Sequence, residues 1–319
     1  MIRAERCACM LVSRIQRSYT KQEHMGVLYH RHKELSMQPN NPSTFEQLAL
    51  TPATEYEPAD QSMDKRIIGE LNRRKICRWL CRFQWLTSRM VASLVWGQAS
   101  QAWPMARRTL KAMLDDGTVI KRALPQGGAD AYLLSAKGAR YINEVEGLDA
   151  SSGQNATLGN PVHRACSNWY LIDALHKKWE VFTEHEIATD RSPVRVLDGK
   201  QADGLLLGDG EAVWVECENA WKAVQARGAT VTFCARHLDR EHMTMVTPDH
   251  GLRQVAVVAT NWEALRHMAG SFQRAYRAGD IREAQLQMVN VSVLPVSRSL
   301  VPSEQVTGNL WTNVMLPTM

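Results

Sequence analysis

The chain has 319 residues, enough for about two domains, and 45% of it is hydrophobic, which suffices to fill real cores. Its 38 Lys and Arg against 33 Asp and Glu leave a formal charge of +5, a mild basic excess that points only weakly to a polyanionic partner. Seven cysteines, with no Cys-x-x-Cys pair leading to downstream ligands, exclude a fully paired disulfide framework and argue against zinc. The apolar stretch Cys7 to Val12 is too short and polar for a signal-peptide core, and no segment approaches the ~20 apolar residues of a membrane span. A cytoplasmic protein is expected.

Residues 1–63 alternate basic and polar stretches and end in Pro- and Thr-rich text, so they bury little surface and are expected to form a mostly disordered arm. One short helix is predicted around Thr44 to Leu50. The arm either touches a nucleic-acid backbone or is a solvated leader.

Residues 64–146 carry dense helical signals. Ile67, Ile68, Leu71, Ile76, Trp79 and Leu80 recur at three- and four-residue intervals and predict a helix over about 65–83. Thr87-Ser88 caps a short helix over about 89–94, and a third runs over about 102–115 to the stop at Gly117. Two β-like runs, 118–123 and 130–134, flank Pro125-Gln126-Gly127-Gly128, and a helix over 137–144 follows. Basic residues crowd this segment, against few nearby acids. Helices and hairpin in this order resemble a winged helix-turn-helix. That likeness makes 102–115 the recognition helix, with Arg107, Arg108 and Lys111, and on the wing Lys121 and Arg122, as candidate contacts to double-stranded DNA. A protein-docking module would carry the same residues as a solvated face.

Residues 147–159, rich in Ser, Gly and Asn, are expected to be a linker. Asn160-Pro161 is a cap followed by proline at the first helical position, opening a helix that ends near Lys178. Strands are predicted over 180–183, 201–207 and 212–218, then an irregular helix from about 220 toward 240, a strand over 254–260, a helix over 261–277 and a strand over about 286–294. Residues 296–319 are expected to be a loose tail.

Chemistry concentrates in this second half. Alternation along Ala212 to Glu218 puts Trp214, Glu216 and Glu218 on one face, and Asp203 lies in the preceding strand. Carboxylates on inner strands are costly to desolvate unless a cation or donors offset them, so Asp203, Glu216 and Glu218 invite a hard divalent metal. Lys222 supplies a nearby cation. The alternative is that these acids face solvent or pair with Lys200 and Lys222. His163, in a helix first turn, has its cationic form disfavoured by the helix dipole.

This set resembles the PD-(D/E)xK nuclease core, although Ala202 stands at its proline and Glu218 at its lysine. It resembles more closely the MobC-type replication-relaxation family of plasmid mobilisation proteins, through His163, Asn168, Asp203, Glu216, Glu218 and Lys222 over roughly residues 70–295. The resemblance implies an α+β chain: a winged helix-turn-helix followed by a restriction-endonuclease-like αβββαβ domain over 160–295. It implies a relaxase that nicks one strand at a transfer origin, with those six residues catalytic and Asp203, Glu216 and Glu218 holding Mg²⁺ or Mn²⁺. Other mobilisation or conjugation proteins are the partners it suggests. The alternatives are a catalytically inactive accessory factor and a replication or transcription regulator of a mobile element.

Overall fold

The computed structural model describes residues 64–125, 127–219 and 224–303. The arm over 1–63, its expected short helix, Lys222 and the chain after 303 lie outside the described residues. The chain is mixed α+β.

The first lobe begins with α1 (Lys65–Phe83), α2 (Ser88–Trp96) and α3 (Ala102–Asp115). Asp64 caps α1 by accepting from the Arg66 amide, and the Thr87 hydroxyl caps α2 at Met90. Such caps each stabilise a helix by about 1 kcal/mol. The second helix is longer than its sequence signal because Thr87 itself is the cap and Trp96, buried, belongs to the last turn. An antiparallel hairpin of β1 (Val119–Ala123) and β2 (Asp130–Leu134) follows, then α4 (Ala136–Glu146). A bridge from Leu86 to Tyr132 ties the hairpin to the chain ahead of α2.

The second lobe is built on a mixed sheet. Its elements are α5 (Pro161–His176), β3 (Glu180–Thr183), α6 (Glu184–Ala188), β4 (Gly204–Gly208), β5 (Glu211–Glu218), α7 (Val224–His237), β6 (Met245–Thr247), β7 (His250–Ala259), α8 (Trp262–Ala278), α9 (Glu283–Leu286) and β8 (Val289–Val293). The strands run in the order β3-β4-β5-β7-β6, with β8 also beside β7. The β3-β4, β4-β5 and β6-β7 pairs are antiparallel, whereas β5-β7 and β7-β8 are parallel.

Alternation along the strands sorts the core into two faces. Val213, Val215, Cys217, Ala256 and Val258 pack with α5 and the first lobe. Ala212, Trp214, Val255, Val257 and Ala259 pack with Val231, Phe233 and Cys234 of α7 and Leu265, Met268 and Phe272 of α8. Gly204 is a close-approach position: a Cβ there would lie 2.7 Å from Leu171 Cδ2 of α5.

One apolar cluster runs from Ile76 through Leu133 and Ile172 to Val258, so the first lobe packs directly on the sheet. Polar contacts reinforce it. Arg82 Nε lies 2.6 Å from Glu186 Oε1, and Arg164 donates to Gln84 at 2.9 Å. The segment 147–159, expected as a linker, is bound along its length: Asn143 brackets Ala150 with two hydrogen bonds, and a Cβ on Gly153 would fall 2.6 Å from Leu133 Cβ. Residues 295–303 are likewise packed rather than loose, since Leu300 is buried and its carbonyl accepts from Trp169 Nε1 at 2.8 Å.

Candidate metal centre and basic cleft

Helix α5 begins at Asn160, whose side chain accepts from the Val162 and His163 amides and so fixes the turn that carries His163. The His163 ring reaches the open end of the β4-β5 pair, with Nε2 3.0 Å from the Cys217 carbonyl and 3.5 Å from Asp203 Oδ2. Asp203 sits one residue before β4. Its amide donates to the Val215 carbonyl, while its carboxylate accepts from the Cys217 amide at 2.7 Å. The carboxylate therefore caps the edge of β5.

Thr183 and Glu186 form a reciprocal capping box that opens α6 and places Glu184 in its first turn. Ligand atoms of His163, Glu184 and Asp203 all lie within 4.8 Å of one another. The three are partly exposed, so solvent reaches them. One imidazole and two carboxylates are a donor set suited to a divalent ion. Arg164 also holds Glu184, with Nε 3.0 Å from Oε2. Burial opposes the His163 imidazolium, but the Cys217 sulfur, the bonded Asp203 carboxylate and Glu184 outweigh it and push its pKa up to about 10. Because burial holds the Cys217 thiol well above its usual range, the two carboxylates carry that effect at neutral pH.

Glu216 and Glu218 share the other face of β5, as alternation requires, beneath α7. Glu216 is clasped by Lys200 Nζ at 2.8 Å and accepts from Trp214 Nε1 at 2.6 Å. Burial, with help from the Asp203 charge and against Lys200 and Trp214, pushes Glu216 up to about 7. Thr230 of α7 joins the network, accepting from Lys200 at 3.3 Å and donating to Glu218 at 3.4 Å. The expected carboxylates are thus divided: Asp203 turns to His163 and Glu184, whereas Glu216 and Glu218 turn to Lys200 and Thr230.

Asn168 lies further along α5, buried, with its amide 3.5 Å from the Trp85 carbonyl, where it joins the lobes rather than the carboxylates. Glu184 is the residue that sequence reasoning left out of the site, whereas Lys200 pairs with Glu216 as the alternative reading of these acids had it. The Thr183-x-x-Glu186 spacing was the available signal for Glu184.

The basic crowd of the first lobe also divides. Arg73 pairs with Asp116, Arg74 and Arg78 with Glu146, and Arg82 with Glu186, so these cations serve the fold. Arg107, Arg108, Lys111 and Lys121 instead line a cleft of about 480 Å³ between α3 and the hairpin, together with Trp103, Pro104, Leu114 and Tyr132. Lys121 faces Tyr132 across the hairpin and pairs with Asp130 at 3.1 Å. Arg122, on the opposite face of β1, donates to the Ala156 carbonyl at 2.5 Å.

Comparison of the chain with family models, with curated protein sequences and with solved structures finds no match. Among the described residues, no helix is long and apolar enough to cross a membrane.

Proposed function

We propose that this chain is a DNA-binding mobilisation protein of the MobC-type replication-relaxation kind, which nicks one strand at a plasmid or integrative-element transfer origin with a divalent metal. In this reading residues 64–146 are a winged helix-turn-helix that grips double-stranded DNA through the α3-hairpin cleft. The sheet with α5 is a restriction-endonuclease-like domain. The observation that carries it is the convergence of His163, Glu184 and Asp203 at the open end of β4 and β5.

The donors fit the implied metal. His163, Glu184 and Asp203 would hold it, and the imidazole favours Mn²⁺ over Mg²⁺, which prefers oxygen ligands alone. When bound, such an ion supplies Lewis acidity to a phosphate and a water acidified toward neutrality. The protein's own residues do the rest. Asp203 is oriented by the Cys217 amide, and Lys200 balances the charge of Glu216 next to it. Arg107, Arg108 and Lys111 bind phosphates without reading sequence.

One observation favours a second reading, a catalytically inactive DNA-binding accessory or regulator. Both Glu184 and Glu216 are already engaged by cations, Arg164 and Lys200. Supercoiled plasmid from the same genetic element, incubated with the protein and Mn²⁺ or Mg²⁺, separates the two. Conversion to open circles that disappears in Asp203→Asn supports the nicking protein; binding without conversion supports the accessory factor.

A further inference from the structure

We propose that the cleft between α3 and the hairpin takes an unstacked base of single-stranded DNA, a more specific ligand than the duplex; this rests on the DNA-binding reading above. The cleft is concave, and its floor is apolar and aromatic: Trp103, Pro104, Leu114 and Tyr132. Its volume of about 480 Å³ falls within the roughly 300–1,000 Å³ of sites that enclose a small organic group. Cations stand on both walls, Arg107, Arg108 and Lys111 on α3 and Lys121, paired with Asp130, on β1, and no acid is among the described lining residues.

That combination separates two nucleic-acid forms. A duplex presents phosphates to a basic face, but its base faces are buried in the stack, so an aromatic floor gains nothing from it. A single strand offers both a backbone for the cations and a free base face for the rings, and stacking of that kind tolerates any sequence. A nicked or melted strand supplies such a base.

The aromatic floor is also fixed in advance. Trp103 Nε1 donates to Ser88 Oγ at 3.3 Å, which pins the indole. The Arg89 guanidinium, 3.7 Å from the ring centroid, covers one face of the indole and fixes it, while Arg107 stands 5.1 Å from the centroid. Tyr132 stands opposite, its backbone anchored by the register with Lys121 and the bridge to Leu86. Little ordering remains to be done when a base enters.

The test uses the full chain and two fluorescent probes, a short oligothymidylate and a hairpin duplex, with affinities read by anisotropy at one salt concentration. Trp103→Leu keeps an apolar side chain but removes the stacking surface; it should weaken the oligothymidylate about tenfold and the duplex by clearly less. Trp103→Phe should restore most of the loss. Tyr132→Leu, on the other wall, gives an independent reading should Trp103→Leu unfold by circular dichroism. Equal losses on both probes, or no loss on either from folded variants, overturn the proposal. Wild-type protein that binds the duplex but not the oligothymidylate overturns it while leaving DNA binding intact, and failure to bind either probe removes both.

Discussion

Lys200 Nζ lies 2.8 Å from Glu216 Oε2, on the side of β5 away from His163. The pair places a buried acid and its counter-charge beneath α7, within electrostatic reach of Asp203. The same strand therefore serves two polar clusters, one on each side.

The first prediction concerns Glu216. Its folded-state pKa is raised to about 7, so the folded chain holds this proton more tightly than the unfolded chain. The resulting stability is full below the unfolded value and is lost as pH rises through about 7, an effect on the order of a few kcal/mol. Glu216→Gln should flatten the stability profile of the metal-free protein between those limits and be more stable than wild type at pH above 7. Urea midpoints across the range check it; a wild-type slope retained in the variant would show that Glu216 does not carry the effect.

The second prediction is metal affinity. Since the carboxylates of Asp203 and Glu184 favour the protonated imidazole of His163, a metal at this site must displace that proton. Mn²⁺ affinity measured by calorimetry should rise with pH through neutrality and release a proton. His163→Ala, Glu184→Gln and Asp203→Asn should each weaken it about tenfold or more, with the pH dependence gone in the first. Affinity that survives in Glu184→Gln but falls in Glu218→Gln would move the ion to the other side of β5.

The third prediction separates Arg122 from its neighbours. Arg107, Arg108 and Lys111 face the cleft, and replacing all three with alanine should lower the salt dependence of DNA binding by roughly one unit of slope for each phosphate no longer neutralised. Arg122→Ala should leave affinity and slope unchanged, because the guanidinium holds the Ala156 carbonyl instead. A fall in slope in Arg122→Ala comparable to that of the triple variant would contradict the division.

A fourth prediction tests the joint between the lobes. Arg82 and Glu186 are largely buried, so Arg82→Ala should cost about 3–5 kcal/mol by leaving a buried carboxylate without its cation. Adding Glu186→Gln should recover part of it. Chemical unfolding of residues 64–303 should be a single transition, and two well-separated transitions would mean the shared apolar cluster does not couple them.

Periodicity and punctuation made much of the fold legible. Apolar spacing located α1, the stop at Gly117 bounded α3, Asn160-Pro161 located α5, and alternation correctly placed Glu216 and Glu218 on one face of β5. Short elements escaped because α6, β6 and α9 hold only three to five residues, too few for a period to show. The site was half legible for a different reason. Asp203 lies just outside its strand, and its carboxylate direction is set by the Cys217 amide of the neighbouring strand, fourteen residues away in sequence. Glu184 reaches it only through the capping box of a helix too short to predict. Charge density likewise overstated the free basic surface, because ion pairs consuming Arg73, Arg74, Arg78 and Arg82 depend on partners up to 104 residues away.

The segment 147–159 is fastened at Ala150, Gly153 and Ala156, so it is not a free tether between the two lobes. A tethered binding module lets its partner domain sweep a range of positions along a bound polymer; here the cleft and the carboxylate-histidine cluster stand on one continuous core. In the nicking reading, a strand held in the cleft would meet that cluster at a set distance along its backbone. The cut then falls at a constant offset from the gripped nucleotides, and loosening 147–159 with inserted glycines should blur that offset before it lowers affinity.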